Sequence, residues 1–179
     1  MNIKRRLLYL AIGAIGIVSA FILGAYTDVD KNETENLRQQ FDTQSKDFNH
    51  YGLFLNNLRI SLLMFVPALG IGIGILSLFH TGLTFNAILE SSALSNYVSP
   101  LATLVTPYGA LEVLAYSLAI SRSGMLIYQI AKSQWREYVF PTIIEIGLVT
   151  MIVFIGAMVE WYIIEQYGFT NRLNYFLPS

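Results

Sequence analysis

Apolar and polar positions in this chain fall into long blocks rather than a short alternation. Apolar runs cover residues 7–26, about 60–79, 81–105, 111–131 and 141–164, each close to the length that carries a helix across a bilayer core. A water-facing stretch at 27–51 and a short basic one at 132–138 separate them. The pattern predicts an all-α, polytopic transmembrane helix bundle of about five spans, one of them weak, broken or re-entrant. A short amphipathic helix on the outer side accompanies it, and residues 1–179 make one integral membrane domain.

The basic residues orient the predicted bundle. Lys4, Arg5 and Arg6 precede the first run, which is longer than a signal-peptide core and lacks a small residue at Leu23, so it reads as a retained span with a cytoplasmic N-terminus. Residues 81–105 carry Asn86, Glu90, Ser91, Ser92, Ser95, Asn96 and Pro100, so they either cross as a shielded, interrupted span or re-enter. A crossing puts Lys132 and Arg136 in the cytoplasm, as the positive-inside rule prefers, and is the reading adopted. In the water-facing stretch, Asn32 followed by Glu35 predicts a helix cap and capping box, and Leu37, Phe41 and Phe48 share one face of the helix that follows. Asn32-Glu33-Thr34 also matches a glycosylation sequon, and His50 reads as interfacial.

Two small-residue patterns predict close helix packing. Gly16, Ala20 and Gly24 recur every fourth residue in the first run, and Gly70, Gly72 and Gly74 bare one side of the second. Packing within the chain and a seam between copies are both open to such surfaces, and packing within the chain is favoured.

The charges inside the apolar runs are the candidate chemistry. On a helix over 107–122, Tyr108, Glu112, Ala115, Ala119, Arg122 and Ser123 fall within an arc of about 100°, polar at its ends and small in the middle. A charge inside a span costs at least about 2.5 kcal/mol on insertion scales and normally finds a partner on another helix. Glu112 and Arg122 lie about 15 Å apart along the axis, too far for one pair. Sorting charges by depth predicts an outer pair of Arg59 with Glu112, and an inner pair of Arg122 with Glu145 or Glu90, near His80. A proton or ion relay along these groups is the functional alternative.

Composition narrows the classes. The chain is 54% hydrophobic and 13% charged, with a formal net charge of −1, which gives no basic field for nucleic acid. Its mean hydropathy is +0.52. It has no cysteine, and its two histidines, His50 and His80, are expected on opposite sides of the membrane, so neither a thiolate nor an imidazole metal site is predicted. No zincin, nucleophile-elbow, P-loop or dinucleotide motif occurs, so no enzymatic activity and no cofactor are expected.

Two blocks resemble the stage II sporulation protein M family of multi-span membrane proteins. The first, NNLRISLLMFVPALGIGIGILSLFHTG at 56–82, is similar to the family's Asn-Asn-x-Arg opening, glycine-rich helix and Asn-Gly ending, with His80-Thr81-Gly82 replacing the last. The second, PYGALEVLAYSLAISRSGMLI at 107–127, is similar to its Pro-His-Gly-x-x-Glu segment, with Tyr108 in the histidine position. Asn57, Arg59, Gly74, Pro107, Gly109, Glu112, Ala115 and Gly124 fit by position. The resemblance implies a non-enzymatic membrane scaffold. The family's named member works with stage II sporulation proteins D and P in remodelling peptidoglycan during engulfment. Expected partners are the lipid bilayer, further copies of the chain and other envelope proteins. A transporter or channel component lined by Glu90, Glu112, Arg122 and Glu145 is the second reading.

Overall fold

A computed structural model of the protein describes residues 3–45, 49–90 and 98–167. All regular elements among them are helical: α1 (Ile3–Ala25), α2 (Lys31–Ser45), α3 (His50–Met64), α4 (Leu69–Glu90), a 3-10 helix (Pro100–Val105), α5 (Pro107–Ala131) and α6 (Arg136–Tyr167). Four of these, α1, α4, α5 and α6, are long and apolar enough to cross a membrane.

Close contacts fix the directions. Gly124 of α5 faces both Tyr9 of α1 and Ile71 of α4, while Gly24 of α1 meets Gly82 of α4 farther along, so α1 and α4 run parallel. Their backbones touch there: a Cβ on Gly24 would fall on the Phe79 carbonyl, and one on Gly82 on the Phe21 carbonyl. Only residues without side chains permit such an approach. Helices α5 and α6 run antiparallel, with Gly156 beside Tyr108 and Leu111 at one end and Arg122 against Glu145 toward the other. Helix α3 lies along α6. Its His50 ring sits 6.2 Å from Trp161, and Phe54 packs edge-on to Phe154 at 5.4 Å.

The second predicted span is corrected. Instead of one helix over 60–79, the chain turns back at Phe65 to Ala68 and starts a new helix at Leu69. Pro67 has no N–H for a continuing helix and restricts the residue before it, and Ala68 takes φ 67°, a left-handed conformation. The Gly70 N–H closes the turn on the Val66 carbonyl at 2.8 Å, and Ser123 of α5 donates to that same carbonyl at 2.7 Å. Helix α3 is therefore only 15 residues, about 22 Å, but reaches from the Trp161 level to the Ser123 level.

Helix α4 in turn continues straight through His80-Thr81, where a boundary was expected. The hydroxyls of Thr81 and Thr84 donate to the Ser77 and His80 carbonyls, so these polar residues cost the apolar helix little. Two smaller corrections concern helix starts. The cap of α2 is Asp30, whose Oδ1 accepts from Glu33 N at 2.9 Å, and not Asn32. Helix α6 begins at Arg136 and carries Pro141 inside its second turn. Leu37 of α2 is buried against Leu83 and Ala87 of α4, which holds α2 to the bundle. Phe48, Ser91, Ser92, Ser95 and Asn96 lie outside the described residues.

The core forms where α1, α3, α4, α5 and α6 meet, around Ile17, Phe21, Met64, Ala115, Ala119 and Val153. Outward-facing positions are apolar as well: Ile15 of α1 is 67% exposed, Leu76 of α4 68% and Met151 of α6 66%. A soluble protein does not present such a belt on every side, whereas hydrocarbon solvates it.

Candidate functional site

Helix α5 is the axis of both polar clusters. Thr106 caps it, its side chain accepting from Gly109 N at 3.1 Å, with Pro107 at the first helical position. Gly109 is needed there because a Cβ would strike the Thr103 carbonyl. From this start the arc predicted for α5 turns inward: Ala115, Ala119 and Ser123 are fully buried, and Arg122 is 1% exposed.

The first cluster joins three helices through one carboxylate. Arg122 Nε donates to Glu145 Oε2 at 2.7 Å, and Arg122 Nη2 donates to Glu145 Oε1. Arg6 of α1 approaches the same carboxylate from the other side, Nε to Oε1 at 2.9 Å and Nη2 to Oε2 at 2.7 Å. Arg6 also donates to Ser121 Oγ and to the Leu118 carbonyl at 3.4 Å. The side chains of Arg6 and Glu145 are 12% and 15% exposed, so the group is nearly dry. It carries two positive charges and one negative, and ties α1, α5 and α6 at one level. Arg122 Nη1 remains enclosed without a partner among the described residues.

Of the two acids weighed for Arg122, Glu145 is the one in place. Glu90 lies exposed at the opposite end of α4, a correction that follows from the turn at Pro67, which reverses the direction expected for this segment. His80 is corrected likewise. It is exposed on α4 beside the Phe79 to Gly24 contact, in the half of the bundle that also holds His50, rather than on the side of Arg122. Arg6 was read only as a topology signal. Its register with Gly13, Ile17, Ala20 and Gly24, all buried, marks it as inward-facing.

The second cluster lies toward the start of α5. Asn57 Nδ2 of α3 donates to Glu112 Oε1. The expected Arg59 to Glu112 pair is not formed. Asn57 and Arg59 lie about 200° apart around α3, so only one can face α5, and Arg59 is exposed. Glycines place the neighbours of these clusters: a Cβ on Gly70 would strike the Met64 carbonyl, and one on Gly74 the Ile120 side chain. Both therefore pack inside the chain. A Cβ on Gly124 would meet Ile71 and Tyr9 at 3.8–3.9 Å, ordinary packing, whereas Gly16 and Gly72 face open space.

No nucleophile with an adjacent base is assembled by these contacts. Among the described residues no three of His, Asp and Glu converge as metal ligands would. The arrangement can hold helices together and bury charge.

Asn57 and Glu112 of the second cluster and Arg122 of the first fall within the two blocks of family likeness, whereas Arg6 and Glu145 lie outside them. The family model described as Stage II sporulation protein M matches residues 8–163. The chain belongs to that family. No curated protein matches it, and no solved structure does. As a member of the stage II sporulation protein M family it is an all-helical, multi-pass membrane protein, and the match runs from within α1 to near the end of α6.

Proposed function

We propose that this stage II sporulation protein M family member is a non-enzymatic integral membrane scaffold or complex subunit, serving envelope or membrane remodelling and able to self-associate. The observation that carries the reading is that Glu145 and Glu112 both find their partners inside the chain. Glu145 is taken up by Arg6 and Arg122, and Glu112 by Asn57, all within one chain. Between the two clusters lies a layer of Ala115, Tyr116, Ala119 and Ile120, none more than 7% exposed. Two carboxylates held by internal contacts and parted by a packed apolar layer suit a rigid platform better than a conduit. A transport path over Glu90, Glu112, Arg122 and Glu145 has less support, since Glu90 stands at the far end of α4.

The proposed orientation puts the N-terminus in the cytoplasm. Lys4, Arg5, Arg6, Lys132 and Arg136 gather at one end of the bundle, and the acidic stretch from Asp28 to Asp42 lies beyond the other. Purification from the native host in mild detergent, with native mass determination and identification of bound proteins, tests the function. A stoichiometric envelope protein in the complex is the expected result. A lone monomer that passes ions in liposomes, with flux abolished by Glu112→Gln, would overturn it.

A further inference from the structure

At the Arg6 end of the bundle, α1, α5 and α6 enclose a cavity of about 440 Å³ whose polar wall is Arg5, Tyr9, Tyr128, Gln129 and Tyr138. Leu8 and Met125 complete it, and Met125 links it to the charged cluster, its sulfur 3.8 Å from Arg6 Nη1. Gln129 is the unusual member. It is 8% exposed, and its Oε1 is enclosed with no partner among the described residues, so the fold buries a hydrogen-bond acceptor here without supplying its donor.

The charge at this end is one-sided. Among the described residues this end holds the basic Lys4, Arg5, Arg6, Arg122, Lys132 and Arg136 and the acidic Glu137 and Glu145. The exposed Arg5 offers a planar fork of N–H groups, Tyr9, Tyr128 and Tyr138 line the same recess, and Lys132 Nζ hangs 4.4 Å over the Tyr128 ring. A guanidinium and tyrosine hydroxyls in a half-dry recess match a phosphate ester, and the Gln129 Oε1, an acceptor, matches a hydroxyl of the headgroup that the phosphate carries. Tyr138 of the cavity wall closely follows Trp135 and Arg136, an aromatic and a basic residue of the kind that mark a membrane interface. It opens beside Leu8, Ile12 and Ile15, which share one outward face of α1 and are 58%, 59% and 67% exposed. A headgroup in the cavity would therefore lay its acyl chains on an apolar strip that already faces hydrocarbon.

We propose that this cavity binds the phosphate headgroup of an anionic phospholipid, with the acyl chains along Leu8, Ile12 and Ile15. Basic recesses between spans at a membrane face are suited to such headgroups. The inference does not depend on the scaffold reading.

Native mass spectrometry of the full-length protein, titrated with phosphatidylglycerol or phosphatidylcholine, tests it. Phosphatidylglycerol adducts should dominate, and Arg5→Gln should weaken them about fivefold. Arg136→Gln, which removes the same charge at the same end but outside the cavity, should change them by less than about twofold. Gln129→Leu removes the buried carboxamide without changing charge and should also weaken binding, which keeps the inference testable if Arg5→Gln assembles poorly. Equal binding of the two lipids, or equal effects of Arg5→Gln and Arg136→Gln, would overturn the assignment. Saturation by glycerol phosphate with no preference for the intact lipid would assign the cavity to a soluble phosphate and overturn the lipid occupant.

Discussion

Glu145→Gln is the most informative single change in this protein. It keeps shape and removes the one negative charge shared by Arg6 and Arg122. Removing one partner of a buried ion pair costs about 3–5 kcal/mol, because the other charge stays behind without compensation. Here two guanidiniums are stranded together, one of them 1% exposed, so the loss should reach at least the lower figure. At roughly 2–4 °C per kcal/mol for a chain of this size, the midpoint of thermal unfolding in mild detergent should fall by roughly 6–20 °C. Arg6→Gln should cost less, about 1.5–3 kcal/mol, since it removes charge-assisted bonds but leaves Arg122 paired. The double variant should cost less than the sum, because Glu145→Gln strands one cation fewer once Arg6 is gone. Trp135 and Trp161, near opposite ends of α6, report unfolding by fluorescence. A Glu145→Gln midpoint within about 2 °C of wild type, or simple additivity in the double variant, would refute the clamp.

Three further outcomes follow from the geometry. Asn57→Ala should destabilise the assembled protein by about 1–3 kcal/mol by leaving the Glu112 carboxylate without its donor, while Arg59→Ala should change stability by less than about 0.5 kcal/mol; detergent unfolding of both variants checks the order. Gly24→Ala puts a Cβ onto the Phe79 carbonyl and should lower the unfolding midpoint and pry α1 from α4, whereas Gly16→Ala, which meets nothing within 4 Å, should be neutral. Leu37→Asp should release α2 from Leu83 and Ala87, read as faster proteolysis between α1 and α3 with little change in the stability of the rest.

What the sequence made legible follows from where free energy is concentrated. The inward face of α5 could be read because a charge in a span is expensive: Glu112 and Arg122 had to turn toward other helices, and the small residues between them mark the same side. The turn at Pro67 was not legible to hydropathy, which averages across a four-residue reversal flanked by leucine, methionine and glycine. A lone proline is tolerated inside the helix α6 and ends one here, so its meaning depends on what packs behind it, in this case Ser123 on the Val66 carbonyl. Once that turn is misplaced, Glu90 and His80 move to the wrong end with it. Assigning Arg59 to Glu112 followed charge, whereas the structure satisfies the carboxylate with a neutral amide, Asn57, on the correct side of α3. Arg6 escaped notice because a basic residue ahead of a first span already has a topological explanation. Gly82 was read only as a motif ending, and its contact with Gly24 needs the parallel pairing of α1 and α4 to be known.

The reversal at Pro67 decides which side every later charge faces, and the chain's lack of cysteine lets it be measured directly. Single-cysteine variants Asp28→Cys, Ala68→Cys and Ser133→Cys, probed with an impermeant maleimide on oriented membranes, give the result. The fold places residue 68 in the turn in the half of the bundle that holds Ser133, where Pro67 shares an apolar recess with Trp135. Ala68→Cys should label from the same side as Ser133→Cys and from the side opposite to Asp28→Cys. Protection of Ala68→Cys from both sides, as for a residue in mid-span, or labelling with Asp28→Cys, would contradict the account.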